Sequence, residues 1–433
     1  MPNWLKFQRP RGLIGSLPSV DTHYDDIPIS TLALPVVSEK DADRETCVLA
    51  LNSGSSSLKF GLYRVRRSAV ASILSGEAHS MGGMQAQLHA SDAQGRQLLR
   101  EVTPMLQVGD AVRAIADLLQ TGPWPTPQAI GHRIVHGGPG LCEHCRIDHV
   151  VLQRLEAATA FAPLHTPAAL AVIHHAMAQF PGLPQAACFD TTFHAGMPDV
   201  ARVLALPRAL RAEGVQRYGF HGLSCESIVQ QLAGALPRRL LIAHLGNGAS
   251  VTAVLNGQSI DTSMGLTPTG GLIMGTRSGD LDPGTLAYLM REKQLDAAGV
   301  EDLIDHRSGL LGISGLASDM RTLHAAAPSN ADADLAIRMF CYAAAKALAA
   351  MSAALGGVDL IVFTGGIGEN DAAVRAAICS RLGGLGVTLD ETRNLDSDRP
   401  QRELISCDTS RCTVRVLRSQ EDEQIARHAW TLC

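Results

Sequence analysis

A short loop of small polar residues near the start of the chain could bind phosphate. Residues 52–57, Asn-Ser-Gly-Ser-Ser-Ser, interrupt an apolar run that ends at Leu51, and alternating apolar residues resume at Leu58. This pattern predicts a strand, a tight turn and a second strand. Gly54 can adopt backbone angles closed to other residues, and such turns expose N–H groups that attract anions. The serine hydroxyls and the nearby Lys59 would add hydrogen-bond donors and positive charge.

Two further glycine-rich loops follow at distances typical of domains. Residues 244–250 (HLGNGAS) lie between two apolar runs and repeat the strand–turn–strand plan, whereas residues 364–370 (TGGIGEN) follow a strand and open a helix. Closely spaced glycines let the backbone approach a nucleotide, and helix N-terminal amides favour its phosphates. One such loop alone is more simply a close-packed turn. Three of them, two with one hairpin design, indicate two similar halves that close on a nucleotide. That arrangement resembles the actin, Hsp70 and sugar-kinase superfamily.

Several other loops carry cationic and titratable side chains beside glycines or prolines. They are residues 131–138 (GHRIVHGG), 161–167 (FAPLHTP), 217–222 (RYGFHG) and 274–280 (MGTRSGD). A predicted strand, Gln185–Phe189, delivers Asp190 at its carboxyl end, where open α/β sheets place ligand contacts. For any one of these side chains a structural role is the simpler interpretation. Their number and their loop positions favour a shared site, and long irregular segments such as 274–280 tend to be functional.

The elements that must position these loops alternate between strand and helix from Cys47 onward, which is typical of an α/β protein. A helix is predicted from Ala168 to Phe180. An alanine-rich helix from Ala336 to Leu355 contains basic residues and ends at a glycine pair, which predicts a buried helix rather than a membrane span. At 433 residues the chain suits two domains. Residues 1–45 contain five prolines and mixed charges, which predicts a flexible extension or an upstream start codon.

The composition argues against several functional classes. A net charge of −5 without a basic run argues against nucleic-acid binding, and the apolar fraction of 46% is typical of a soluble globular protein. Ten scattered cysteines indicate reduced thiols in the cytoplasm. Cys142 and Cys145 have the spacing of a zinc or redox pair. A zinc site would need a second ligand pair, and none occurs at ordinary spacing, so an inert pair is the favoured interpretation.

Nine segments together resemble the acetate kinase family. They are NSGSSSLKF, GHRIVHGG, APLHTP, FDTTFH, RYGFHG, HLGNGAS, DTSMGLTP, MGTRSGDLDP and FTGGIGEN, in family order from about residue 47. The resemblance implies an α/β fold of two actin-like (ribonuclease H-like) domains, 46–191 plus 418–433 and 192–417, with a nucleotide cleft between them. It also implies a cytoplasmic homodimer that phosphorylates acetate reversibly with ATP by direct in-line transfer, giving acetyl phosphate and ADP. Mg²⁺ is the implied metal, with Mn²⁺ as an alternative.

The resemblance also implies roles for particular residues. Arg133 and Arg277 would clamp the carboxylate and the phosphoryl group, since the planar guanidinium suits both partners. His221 would donate a hydrogen bond to the phosphoryl group. Asp190 and Glu421 would hold the magnesium. The implied supporting residues are His165 and His244 for catalysis, Asn52 and Ser57 near the metal, and Glu423 as the rival of Glu421.

The remaining implied contacts are to the nucleotide and to the alkyl end of the acid. Asn247 and Gly248 would meet the phosphates, and the adenosine would contact Asp319, Arg321, Gly366, Ile367 and Asn370. The full set implied to bind the nucleotide is Ser57, Lys59, His244, Leu245, Gly246, Asn247, Gly248, Asp319, Met320, Arg321, Gly365, Gly366, Ile367, Gly368 and Asn370. The alkyl end would lie against Val135, Leu164, Phe220 and Pro268, with Arg133 at the carboxylate.

The chain departs from the family pattern beside the substrate pocket. Thr269-Gly270-Gly271-Leu272 stands where the family usually has Leu-Glu-Gly-Leu. The acid preferred therefore stays open between acetate, propionate and butyrate. A catalytically dead member acting as a nucleotide-dependent binding module is a second alternative. A sugar kinase is a third, but it would require a catalytic Asp and polar groups for sugar hydroxyls, rather than two arginines facing an apolar pocket.

Overall fold

The computed structural model describes residues 44–54, 57–163, 165–396 and 403–433. Nearly all of the predicted N-terminal extension, together with Leu164, lies outside the described residues. Two sheets organise the described chain. The first has eight strands in the spatial order β5-β4-β3-β2-β1-β6-β8-β7. Their bounds are β1 Thr46–Ser53, β2 Ser57–Arg66, β3 Ala69–His79, β4 Gly83–Asp92, β5 Gln97–Met105, β6 Ala129–Ile134, β7 Cys145–Arg146 and β8 Gln185–Phe189.

The centre of the first sheet holds its most apolar strands. Residues 46–52 of β1 are all buried, as expected for a strand covered on both faces. β1 pairs antiparallel with β2, which confirms the hairpin predicted for residues 48–63. β6 runs parallel to both β1 and β8, so the carboxyl ends of β6 and β8 lie side by side. That edge places Arg133 and Asp190 next to each other.

The second sheet has five strands in the order β11-β10-β9-β12-β13. β9 and β10 form the second predicted hairpin, and β12 runs parallel to β9. The hairpin loop and the segment after β12 therefore meet at one edge of this sheet. The bounds are β9 Arg239–Leu245, β10 Ala249–Leu255, β11 Gln258–Thr262, β12 Leu360–Thr364 and β13 Thr413–Val416.

Helices cover both sheets. Within the described ranges the α-helices are α1 Val108–Thr121, α2 His149–Ala157, α3 Thr166–Gln179, α4 Asp199–Arg202, α5 Arg208–Ala212, α6 Gly222–Gln231, α7 Pro283–Glu292, α8 Ala297–His306, α9 Gly309–Ser314, α10 Met320–Ala326, α11 Ala331–Ala354, α12 Gly365–Asn370, α13 Ala372–Cys379, α14 Glu391–Leu395 and α15 Glu421–Leu432. Short 3₁₀ turns occupy Ala158–Phe161, Thr192–His194 and Gly383–Leu385.

The long helix α11 is the described helix whose length and composition would allow it to cross a membrane. Its face of Ala336, Phe340, Ala344 and Leu348 is buried in the core of the second sheet, as in an amphipathic core helix. The Asn330 side chain accepts from the first-turn amides and fixes where the helix begins. This packing agrees with the predicted buried helix.

The C-terminal helix α15 returns to the first sheet. Its Ile425 and Ala429 pack in a core with residues of β1 and β8. A Cβ at Gly131 would lie 2.5 Å from the Ile425 side chain, so glycine permits the close approach of α15 to β6. The return of α15 supports grouping residues 418–433 with the first sheet. The exact domain limits stay a prediction.

Candidate active site

A cleft of about 660 Å³ lies where the two sheets face each other. Its walls come from the β1–β2 hairpin, the β9–β10 hairpin, the start of α12 and the start of α15. The residues that line it are Asn52, Gly54, Ser57, Lys59, Tyr63, Arg133, His221, His244, Gly246, Asn247, Gly248, Gly365, Gly366, Glu369, Ser419, Gln420, Glu421, Asp422 and Glu423. All three loops predicted to bind phosphate therefore contribute to one cavity.

Arg133 and Asp190 form a close ion pair at the edge of the cleft. The guanidinium Nη2 lies 2.6 Å from Oδ2 of Asp190, and its Nε donates to the same carboxylate at 3.0 Å. Asp190 is fully buried, and Arg133 is mostly buried. Burial disfavours the charged form of Arg133, but the Asp190 carboxylate outweighs that effect and raises the pKa of the guanidinium. One side of Arg133 is therefore committed to Asp190, and its Nη1 reaches the Ser53 carbonyl at 3.3 Å.

Carboxylates from α15 converge on Asn52. The Asn52 amide donates to Oδ1 of Asp422 at 2.8 Å and to Oε2 of Glu421 at 3.2 Å. Burial raises the pKa of Asp422, and the adjacent Glu421 raises it further. Crowded, partly buried carboxylates next to an asparagine side chain supply the oxygen ligands that Mg²⁺ prefers. A divalent cation here would relieve their mutual repulsion.

Glu421 and its predicted rival Glu423 differ in their contacts. Glu421 touches both Asn52 and Ser419, whereas Glu423 interacts electrostatically with Arg427 on its own helix. Asp422 also belongs to this group of carboxylates, although it was not predicted from the sequence. Its position beside Glu421, in the first turn of a helix at the cleft, is the feature that could have indicated it.

His221 and His244 stack on each other above the phosphate loops. Their ring centroids are 4.1 Å apart, and each ring has its Nδ1 tied to a serine: His221 to Ser250 at 2.9 Å and His244 to Ser224 at 2.8 Å. Burial lowers the pKa of His221 strongly, and the neighbouring His244, Arg133 and Arg277 lower it further. His221 is therefore neutral, and its Nε2 can donate when the Ser250 hydroxyl donates to Nδ1.

His221 also has an unusual backbone. Its φ of +58° lies in the left-handed region, at the residue that precedes α6. Such strain in a non-glycine residue persists only where the surroundings fix it, and it concentrates at functional sites. A Cβ at Gly248 would lie 3.2 Å from Nε2 of His221 and 3.5 Å from Nη1 of Arg277. The glycine loop therefore lies directly beside two of the predicted catalytic residues.

Arg277 lies on the irregular segment between β11 and α7. Its Nη1 donates to the Pro268 carbonyl at 3.2 Å, and no described carboxylate lies within 4.0 Å of the guanidinium. With His165 and Pro268 it lines a recess of about 30 Å³. Burial, together with the charges of Arg277 and Arg133, lowers the pKa of His165 to about 4. Arg277 and the neutral His165 line this recess together with two acids, Glu301 and Asp305.

Three of the four residues predicted to contact the alkyl end of the acid lie in the described part of the chain. Phe220 is buried in the core of the second sheet, and Val135 packs against that core while partly exposed. Pro268 lines the small recess beside Arg277. Leu164 lies outside the described residues.

A second cavity of about 600 Å³ continues from the cleft past the β9–β10 loop. Both cavities share Gly246, Asn247 and Gly366. Its lining includes five of the residues predicted to contact the nucleotide beyond the phosphates: Asp319, Met320, Arg321, Ile367 and Asn370. The size suits an adenosine group.

Two predicted nucleotide contacts lie behind these walls. Leu245 and Gly368 are buried and line neither cavity. Asp319 also has a structural task, since its side chain accepts from the Thr322 amide at the start of α10. Glu369 was not singled out, yet it lines the cleft and accepts from the amides of Gly365 and Ser419. It thereby links α12 to the segment that leads into α15.

The segment with Cys142 and Cys145 contributes a histidine to a polar cluster. Nε2 of His428 lies 2.8 Å from Oε2 of Glu226, and Nε2 of His144 lies 3.9 Å from the same oxygen. These ligand atoms are close enough to hold a metal. However, Nδ1 of His144 accepts from the Phe189 amide at 3.0 Å, so its proton must sit on Nε2, facing Glu226. A hydrogen-bond network explains this geometry better than a metal site does.

The chain matches the Acetokinase family model over residues 47–427. The acetate kinase of Nitrobacter hamburgensis is 41% identical over 396 residues, which span 89% of this chain and 96% of that protein. A crystal structure of Porphyromonas gingivalis acetate kinase is 36% identical, with a TM-score of 0.79, and covers 89% of this chain and 99% of its own. A Francisella tularensis propionate kinase structure is 35% identical, with a TM-score of 0.83, and covers 90% and 100%.

The two-sheet α/β fold, shared with these solved acetate and propionate kinases, places the chain in the actin-like class. Within that class, the chain belongs to the acetokinase family. The predicted family and fold are thus confirmed.

Proposed function

We propose that this protein transfers the γ-phosphoryl group of ATP to acetate, reversibly and in a direct in-line step, giving acetyl phosphate and ADP. The observation that carries the proposal is Arg277, a partly buried cation with no described carboxylate within 4.0 Å. It lies beside Gly248 and His221, which line the 660 Å³ cleft. A carboxylate substrate would supply the missing negative charge.

Phosphoryl transfer between two oxygens depends on positioning and on charge neutralisation. Arg277 and Arg133 would bring the negatively charged acetate up to the γ-phosphate. His221 would donate a hydrogen bond from Nε2 to the phosphoryl oxygens, with its proton held at that atom by Ser250. His165 and His244 would support this arrangement as neutral rings.

The nucleotide would lie along the shared wall of the two cavities. Backbone amides of the Gly246–Gly248 loop and of the start of α12 would meet the phosphates, and Lys59 and Ser57 would add donors from the facing hairpin. The adenosine would occupy the 600 Å³ cavity beside Ile367, Asn370 and Arg321. Asn52, Asp190 and Glu421, with Asp422 beside them, would hold Mg²⁺, or Mn²⁺ in its place. When bound, the metal would supply positive charge that neutralises the negative charge developing during transfer.

Propionate is the second candidate substrate. The proline of the recess is followed by Thr269 and Gly270, and a solved relative of similar fold is named a propionate kinase. We infer a preference for acetate, since Val135 and Phe220 leave little room at the alkyl end. Butyrate would fit least well.

We further infer a cytoplasmic homodimer. α11 and α7 expose large apolar side chains, a composition that supports burial against a second copy. These are Leu335, Met339 and Tyr342 on α11 and Tyr288 and Met290 on α7.

The test is an assay of purified protein with ATP, Mg²⁺ and each of the C1 to C4 carboxylates, trapping acyl phosphate with hydroxylamine. We expect hydroxamate with acetate, less with propionate and least with butyrate. Absence of product with every acid would favour the alternative of a nucleotide-dependent binding module. Phosphorylation of a sugar instead would support a sugar kinase.

A further inference from the structure

Among the charged residues near Arg277, Asp305 has the strongest electrostatic effect on it, although the two side chains do not form an ion pair. It lies near the end of α8, is 7% exposed, and lines the same small recess as Arg277. Its carboxylate stays outside the 4.0 Å ion-pair distance. Burial lowers the pKa of Arg277, and the charge of Asp305 acts against that effect. The two charges therefore interact at a distance, while Arg277 remains available to bind another anion.

The Thr269 hydroxyl is hydrogen-bonded to the Asp305 carboxylate. Its Oγ1 donates to Oδ1 of Asp305 at 2.5 Å, a short contact that fixes the carboxylate. Thr269 directly follows Pro268, whose carbonyl accepts from Arg277. Two consecutive residues thus contact the acid and the cation, and Thr269 occupies the position where the family pattern has an apolar leucine.

Two hydrogen bonds to backbone carbonyls hold the Arg277 segment at the same end of α8. Oγ1 of Thr276 donates to the Asp305 carbonyl at 2.7 Å, and the Ser278 amide donates to the Ile304 carbonyl at 2.9 Å. Arg277 is flanked by these two anchors. Its Cα cannot move away from Asp305 without breaking them, so the separation of the two charges must be set by their side chains.

We propose that Asp305 is a positioning residue for Arg277, and that Thr269 restrains Asp305 so that it does not close onto Arg277 as an ion pair. The inference rests on the proposed function, because the anion that would bind Arg277 is the substrate carboxylate. Without the Thr269 hydroxyl, Asp305 competes with the substrate for the guanidinium. The restraint determines the affinity for the acid and leaves the nucleotide cavity untouched.

The experiment compares Thr269→Val, Asp305→Asn and the double variant in steady-state kinetics with acetate and ATP. Thr269→Val removes the hydroxyl at nearly constant shape and should raise KM for acetate about tenfold, roughly the effect of one charge-assisted hydrogen bond. KM for ATP should stay within about twofold. In the Asp305→Asn background the same Thr269→Val change should leave KM for acetate unaltered, because the competing charge is gone.

Two controls separate the outcomes. Thr269→Ser keeps the hydroxyl and should behave as wild type, and Asp302→Asn alters an exposed acid of the same helix that pairs with Arg307. An unchanged acetate KM in Thr269→Val, or an equal rise with and without Asp305, would overturn the proposal. If the wild type forms no acyl phosphate, the proposed function fails instead. Thermal unfolding of each variant checks that the fold is retained.

Discussion

At the scale of single residues, the two arginines of the cleft have the same charge but different surroundings. Arg133 is paired with a fully buried Asp190, whereas Arg277 is held by backbone oxygen and a thioether and has no described carboxylate within 4.0 Å. Breaking a buried ion pair from one side leaves an uncompensated charge, which costs about 3–5 kcal/mol. Removing Arg277, which contacts a carbonyl and a thioether, breaks no such ion pair. Arg133 should therefore affect both stability and catalysis, and Arg277 mainly catalysis.

The first prediction separates these effects. Arg133→Ala and Arg277→Ala should each lower kcat/KM by roughly 10²–10⁴, because each removes a charged contact at the reacting centre. Only Arg133→Ala should also lower the free energy of unfolding by several kcal/mol. Arg338→Ala, at an exposed pair with Asp334, is the control for loss of a surface arginine. Near wild-type turnover in either cleft variant would remove that arginine from the mechanism.

A second prediction at this scale concerns the alkyl end of the acid. Val135 is branched, partly buried and packed against the core of the second sheet, and we predict that it narrows the space for additional carbons of the acid. One methylene in an apolar pocket is worth about 1–3 kcal/mol. Val135→Ala should reduce the preference of kcat/KM for acetate over propionate by about one such increment. An unchanged order of acids would show that Val135 does not line the pocket.

At the scale of elements, local patterns predicted most of what positions the site. The strand Gln185–Phe189 has the predicted bounds, and helix α3 begins and ends within two residues of its prediction. α11 begins five residues earlier than predicted, since its polar first turn and Asn330 cap carry no apolar signal.

The side-chain pairs of the site were not predictable in this way. Arg133 and Asp190 are 57 positions apart, and Thr269 and Asp305 are 36 apart, so only the folded chain brings them together. Asp422 was missed because its role depends on where α15 docks. The resemblance to family motifs indicated which residues belong to the site. The interaction partners of these residues could be identified only from the tertiary structure.

The network of His144, Glu226 and His428 joins three elements beneath the site. Glu226 lies on α6, His428 on α15 and His144 on the segment before β7. Through Nδ1, His144 also holds the amide of Phe189, the residue before Asp190. Burial alone would raise the pKa of Glu226, but the two histidines outweigh it and lower its pKa.

Glu226→Gln tests the importance of this network. The change leaves the His428 and His144 N–H groups without their charged acceptor, so we expect a loss of about 1–3 kcal/mol in unfolding free energy. Glu292→Gln, at an exposed pair with Arg291, should change stability by less than about 0.5 kcal/mol. Equal stability of the two variants in denaturant unfolding would show that the network is energetically neutral.

At the scale of the whole molecule, buried histidines couple stability to pH. Burial lowers the pKa of His132, His136 and His194 to about 4 in the folded protein, whereas an unfolded chain has a value of about 6.5. Between these values the unfolded state binds more protons than the folded state, so stability must fall as the pH falls. The loss should begin near pH 6.5 and level off for these groups below about pH 4.

Denaturant unfolding from pH 7.5 to pH 4.5 measures this effect. We expect a progressive decrease in unfolding free energy, and a shallower decrease in His132→Gln, because that variant removes one of the coupled groups. Constant stability across this range would mean that the buried rings already titrate normally in the folded protein.

In the proposed reaction, an oxygen of the acid attacks the γ-phosphorus of ATP. The most direct measurement uses acetate labelled with ¹⁸O in both oxygens, ATP and Mg²⁺, followed by ³¹P NMR and mass spectrometry of the product. Direct transfer predicts acetyl phosphate in which ¹⁸O bridges carbon and phosphorus, formed together with ADP. Release of unlabelled inorganic phosphate without acyl phosphate would contradict the account.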